Sequence, residues 1–204
     1  MARIFLILSC LLVFVFSFSN AEAQIKDDVT LWTINLGFLE TQSAATQNNL
    51  FTYGLNTTFE RMIHDSKFAV GANLGYSWSE DSYDISLDTK SWQSYKTLSV
   101  YLTSKYYFTP DKNWTPYVGF GFGFQSTGVD FAISGLIEIQ DDDNIMTGTR
   151  SLTSLSIALP LGINAFVSEN TYLGFNFTPF WLDKSFYKDK WYWVFNMGVG
   201  FQLD

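Results

Sequence analysis

Glu60, Lys67 and Lys105 are the ionisable residues with the most unusual placing in this chain, because each falls on the small, polar set of a segment that alternates polar and apolar residues. Gathered in a dry interior, one carboxylate and two ammoniums pair and form a plug; strung along a wet interior, they select ions. His64 is the only histidine and stands in the turn His64-Asp65-Ser66. A general base needs a substrate within hydrogen-bond reach, and a solvated turn offers none. Gly119-x-Gly121-x-Gly123 has glycines at alternate positions like a phosphate loop, but no helix follows to supply amides. They read as room for bulky interior neighbours. Glu80, Asp81, Asp84, Asp88 and Asp141, Asp142, Asp143 have the oxygen ligands that Ca²⁺ or Mg²⁺ takes, yet their spacing matches no EF-hand. A solvated acidic loop surface is the expectation, with no metal site, no cofactor and no enzymatic centre. The single cysteine, Cys10, lies in the apolar N-terminal run, so the remainder has no thiolate and no disulfide.

The elements that position these residues are strands. Segments 29–39, 50–62, 67–79, 91–108, 115–127, 150–167, 171–181 and 191–203 each place apolar residues at every second position. In the last, Trp191, Trp193, Phe195, Met197, Val199, Phe201 and Leu203 alternate with Tyr192, Val194, Asn196, Gly198, Gly200 and Gln202. The second set carries no Lys, Arg, Asp or Glu, which a strand facing bulk water would normally show. Pro160 falls on the polar set of the sixth strand and calls for a local bulge or bend. Connections alternate long and short, the long ones being 40–49, 80–90, 128–149 and 182–190. Within 128–149 the pattern shifts phase: Val129, Phe131 and Ile133 alternate, Ser134-Gly135 turns, and Ile137 and Ile139 follow. This predicts a hairpin, which would offer a strand edge to a binding partner.

Aromatic residues make up 19% of the chain, yet beyond the N-terminus no apolar run is long enough for a membrane helix. Alternation is how a membrane β-barrel carries its hydrophobicity. A soluble barrel turns its apolar face inward and covers its outside with charge; here the polar face is Gly, Ser, Thr, Asn and Tyr. The fold class is therefore all-β, an eight-stranded antiparallel transmembrane up-and-down β-barrel over residues 24–204. Residues 1–23 read as a cleaved leader, with Arg3, an apolar core and Ala21-Glu22-Ala23. The net charge of −8 opposes a nucleic-acid partner.

Asn196-x-Gly198-x-x-Phe201-x-Leu203 resembles the terminal signal by which bacterial outer-membrane barrels are recognised and inserted, although here Leu203 and Asp204 follow the aromatic residue. With the leader and the eight alternating segments, the chain resembles small OmpA/OmpX-type outer-membrane barrels. That resemblance implies a bacterial outer-membrane location, with both termini periplasmic and the long loops extracellular. It implies lipid, lipopolysaccharide and the barrel-assembly machinery as partners. Trp78, Trp92, Trp181, Trp191 and Trp193 would form one aromatic girdle; Trp114, Tyr106, Phe108 and Phe166 the other. The expected function is non-enzymatic: envelope integrity, loop display and weak solute permeation through a lumen holding Glu60, Lys67 and Lys105. The alternatives are adhesion to an extracellular ligand through the 128–149 hairpin, and outer-leaflet lipid modification. For the latter, His64 falls on the periplasmic side, away from its substrate.

Overall fold

The computed structural model describes residues 24–42, 49–63, 67–86, 89–134, 145–187 and 189–203. The leader, the acids Asp88 and Asp141 to Asp143, His64, Ile137 and Ile139 lie outside them. The strands are β1 (Thr30–Gln42), β2 (Asn49–Met62), β3 (Phe68–Ser86), β4 (Thr89–Tyr107), β5 (Trp114–Ser134), β6 (Ile145–Ala158), β7 (Leu161–Ser168), β8 (Thr171–Leu182) and β9 (Trp191–Leu203). All pairings are antiparallel, and β1 pairs with both β2 and β9, so the sheet closes on itself. Both β6 and β7 lie between β5 and β8. They are two halves of one barrel strand, and the closed sheet is the expected eight-stranded barrel.

The division falls at Leu159 and Pro160, and no residue is inserted there: Gly121 faces Ala158 and Val118 faces Leu161 in one continuous register. The expected bulge is thus a break in the hydrogen-bond ladder alone. Gly119 N donates to Pro160 O at 2.7 Å and Leu159 N to Pro179 O at 3.0 Å, but neither proline has an N–H to return.

One circuit through directly opposed residues, from Phe201 by Trp32, Phe59, Ala72, Leu102, Phe122, Ile157 and Trp181, regains β9 at Trp191, ten residues away. With strands ~4.8 Å apart and ~3.3 Å per residue, that stagger sets a tilt of about 40° and a radius of about 8 Å. A cylinder this narrow is filled by its own side chains. The outside is apolar: Leu36, Leu55, Leu74, Val100, Leu102, Phe120, Phe122 and Phe195 are exposed. The inside is polar: Asn35, Thr58, Gln125, Ser156, Asn164 and Asn196 are buried. Water would not tolerate so continuous an apolar surface, whereas lipid requires it.

At ~2.5 Å of axial rise per tilted residue, the outward apolar set spans about 25 Å, the height of an outer-membrane apolar band. At one end it gives way to Glu80, Lys96, Ser126 and Asp183. β3, β4, β5 and β6 do not stop there; they continue for about 20 Å as a four-stranded extension beyond the band. Segments read as loops from sequence are therefore strands: 80–86, 128–134 and 145–149.

The extension corrects three expectations. Val129, Phe131 and Ile133 do not shift phase, because β5 keeps one register against β4 and β6 from Gly121 to Ser134. Val129 and Phe131 belong to the inward set of Tyr117, Gly123 and Gln125; above the band it is the inside of β5 that becomes apolar and its outside polar. Nor do they offer a free edge, since β4 and β6 pair with β5 on both sides. Trp92 stands on the extension, above the aromatic girdle in which it was expected. Phe166 is also no girdle residue; it is buried and packs on Tyr172 with ring centroids 5.2 Å apart.

Candidate functional site

The interior is built in tiers, each from inward residues of several strands. Near the end that carries the termini, Glu60 of β2 and Lys105 of β4 meet across β3. Lys105 Nζ lies 2.8 Å from Glu60 Oε1 and 3.0 Å from Oε2. Tyr107 donates its hydroxyl proton to Glu60 Oε2 at 3.1 Å, Thr103 donates to Oε1 at 3.4 Å, and the ammonium stands 4.5 Å from the Tyr117 ring centre. The carboxylate is saturated with donors, as a buried one must be. Of the three expected lumen charges these two are brought together. Lys67 is not: it precedes β3 at the rim, is exposed, and donates to Phe108 O at 3.1 Å. Its parity is inward, but below the rim its long stem reaches water.

Above the ion pair lies a belt of asparagines, of which sequence reading singled out only Asn196, and that as part of the assembly signal. Asn35 and Asn73 donate to Asn56 Oδ1 at 2.9 and 3.4 Å, Asn56 donates to Asn196 Oδ1 at 2.8 Å, and Asn196 to Asn176 Oδ1 at 2.8 Å. Amides suit this position because each both donates and accepts, so the chain of bonds passes from strand to strand without charge. A cavity of about 120 Å³ adjoins the belt, bounded by Thr58, Thr103, Lys105, Tyr101 and Gln125 among others. Toward the other end, Gln125 Nε2 donates to the hydroxyls of Tyr101 and Tyr192, and Tyr101 donates to Ser156 Oγ at 2.9 Å.

Apolar clusters close over both tiers. At the terminal end, Ile25 N donates to Pro110 O at 2.8 Å and Lys26 N to Gln202 Oε1 at 3.2 Å. The segment before β1 is thereby drawn across the opening. Ile25 and Val29 pack there with Leu31, Met62, Ala69, Tyr107, Tyr117, Phe166 and Tyr172. At the far end Tyr187, in the connection after β8, folds into the mouth with Leu39, Tyr95, Val129, Leu182 and Tyr192. Ser154 Oγ holds Lys184 O at 2.6 Å and Asp183 Oδ1 accepts from Leu155 N at 2.8 Å, pinning that connection. These caps look like a polar lead and a charged loop in sequence; the only signal was one or two large apolar residues in each.

The remaining candidates have simple positions. Asn196 belongs to the amide belt, and a Cβ at Gly198 would run into Ile34 O. Phe201 lies outward with its ring centroid 5.8 Å from that of Trp32, and Leu203 is exposed at the rim. In the extension Val129 is buried in the upper cap and the Phe131 ring covers Gly148. The backbone of Ile133 pairs with Ser91 and Met146. Gly119, Gly121 and Gly123 lie within β5. Among the described residues no group of three His, Cys, Asp or Glu gathers as metal ligands.

A closed eight-stranded barrel with an apolar outer band and a filled polar interior is an outer-membrane β-barrel. The chain belongs to the outer membrane protein beta-barrel domain family, whose model matches residues 8–202. Solved structures agree in fold. Ail, the attachment invasion locus protein of Yersinia pestis, was solved in complex with the heparin analogue sucrose octasulfate. It superposes with a TM-score of 0.55 at 13% identity, over 87% of this chain and 100% of its own. Neisserial surface protein A gives 0.55 at 14% identity, covering 85% and 96%. The outer membrane protein OprG from Pseudomonas aeruginosa gives 0.56 at 15%, covering 90% and 99%. No curated protein matches the chain. The location in the bacterial outer membrane follows from the family and from the lipid-facing band.

Proposed function

We propose that the protein is a non-enzymatic, non-conducting barrel that reinforces the outer membrane and holds the β3–β6 extension at the cell surface. The observation that carries this is the division of labour along the axis: a lumen filled inside the band, and an ordered four-stranded sheet beyond it. The barrel-assembly machinery would read Asn196, Gly198, Phe201 and Leu203 during insertion, and both termini would stay in the periplasm. Reconstituted in planar bilayers, the protein is expected to give no sustained conductance steps. Long-lived steps whose ion selectivity changes with Glu60→Gln and Lys105→Met would restore the permeation reading. A Ser151→Cys variant in intact cells is expected to react with a membrane-impermeant maleimide; protection there would reverse the orientation.

Adhesion remains the second reading, with a different edge. β6 pairs with β8 only from Ser156 to Ala158, and among the described residues no strand flanks Met146 to Thr153 on the side away from β5. A partner strand could add there. Thr149→Lys with Ser151→Lys should abolish such binding while the barrel stays heat-stable.

A further inference from the structure

The outward row of β4, from the apolar band into the extension, reads Leu98, Lys96, Ser94, Trp92. Leu98 is 49% exposed in the lipid-facing wall and Trp92 is 45% exposed. At ~2.5 Å of axial rise per residue the indole stands about 15 Å above Leu98, clear of the girdle level marked by Trp78 and Trp181. Its direct partners are Ser82 on β3 and Ala132 on β5, and Ala132 is itself paired with Thr147, so no large apolar side chain stands opposite it. A shallow groove beside it has Ser94, Asp130, Thr147 and Thr149 as its polar lining, with Phe131, Ala132 and Gly148 between them. Asp130 is held in place: Lys96 Nζ donates to its Oδ2 at 3.0 Å and Thr149 Oγ1 to its Oδ1 at 2.9 Å. The hydrogen bond from Lys96 keeps the Asp130 carboxyl below its usual range, and the bond to Asp130 raises the ammonium.

A flat indole edged by hydroxyls and a fixed carboxylate suits a sugar ring, which stacks its C–H face on the aromatic surface and directs its hydroxyls to acceptors at the rim. We propose that Trp92, with Ser94, Asp130 and Thr149, binds a core sugar of the surrounding lipopolysaccharide, while Lys96 takes a phosphate beneath it. The groove faces sideways, on the same wall as Leu98 and Phe124. A molecule whose acyl chains lie on that wall already carries its headgroup beside the groove, and this favours a lipid-borne saccharide over a soluble one. Down the β4 row the side chains match that molecule in order: alkyl for acyl chain, ammonium for phosphate, hydroxyl and indole for sugar. Lys96 has three donors, so its bond to Asp130 leaves capacity for a phosphate oxygen. The inference rests on the reading that the extension faces outside the cell.

The folded barrel in detergent would be titrated by calorimetry with core-bearing lipopolysaccharide, with lipid A lacking the core, and with free core oligosaccharide. Trp92→Ala is expected to weaken the first about tenfold, the loss of one stacking contact, and to leave the second unchanged. Lys96→Ala should weaken both, and the free oligosaccharide should bind far more weakly than the glycolipid. Unchanged affinity of Trp92→Ala for core-bearing lipopolysaccharide overturns the site. Free oligosaccharide binding as tightly as the glycolipid overturns the lipid-borne source. Heat-modified mobility in gels confirms that each variant is folded. Labelling of Ser151→Cys in intact cells separates the two readings: no labelling removes the orientation, while labelling with unaltered Trp92→Ala binding removes only the site.

Discussion

Glu60→Gln is expected to destabilise the folded barrel by about 3–5 kcal/mol, because it leaves the Lys105 ammonium buried without its counter-charge. Glu60 and Lys105 are 2% and 9% exposed, and neither has a route to water of the kind Lys67 has. The glutamine can still accept from Tyr107, so the loss is mainly electrostatic. Lys105→Met should be comparably harmful, since it strands the carboxylate with only Tyr107 and Thr103 as donors. The double variant Glu60→Gln with Lys105→Met removes both charges and should recover most of the stability, as apolar or neutral replacements of whole buried pairs do. Urea titration of the heat-modifiable form in detergent micelles measures all three. Equal midpoints for Glu60→Gln and the parent would mean that water already screens the pair and that the lower tier is wet.

The number of strands, their faces and the closure into a barrel were all legible in the sequence. Lipid on one side and a narrow interior on the other impose a two-residue contrast on every strand, as from Trp191 to Leu203. Legibility failed where that contrast changes. Beyond the band the outside of β5 becomes Ser126, Gly128 and Asp130 while the inside becomes Val129 and Phe131, so an inversion of polarity looks like a shift of phase. The asparagine belt was hidden for a different reason. Alternation places Asn35, Asn56, Asn73, Asn176 and Asn196 inside, but whether they lie at one height depends on the stagger between strands. That stagger is a property of the closed ring. Lys67 shows the reverse case, in which parity alone put a residue inside that the strand's starting point leaves in solvent.

The two caps give the filled interior its meaning. A belt of amides beside a cavity has the composition of a water path, and the ion pair below it has that of a selectivity site. Yet Ile25 and Val29 at one end and Tyr187 at the other bury apolar side chains across the openings. Opening a path requires moving both, and each is tied by hydrogen bonds to the barrel wall. Among the described residues, what is left free to meet other molecules is the extension and the outward wall beneath it.

Gly200→Val is expected to cost about 3 kcal/mol or more, at the upper end of overpacking effects. A Cβ at Gly200 would lie within the Tyr172 ring, which is itself buried and donates to or accepts from Thr33 Oγ1 at 2.6 Å. The strand cannot retreat, because β9 is paired to β1 through Thr33 and to β8 through Tyr172 on either side of this residue. Tyr172→Ala alone should cost less than that, and combined with Gly200→Val it should recover part of the loss by vacating the space. The comparison also bears on assembly. Asn196 and Gly198 have packing roles inside the barrel, so a defect on changing them reports stability as well as recognition. Phe201 and Leu203 point outward, and changing Leu203 at the rim should leave the urea midpoint nearly unaltered. Slower membrane insertion of Leu203→Ala with an unchanged midpoint would assign that residue to recognition. A lowered midpoint matching the insertion defect would assign the whole terminal pattern to packing.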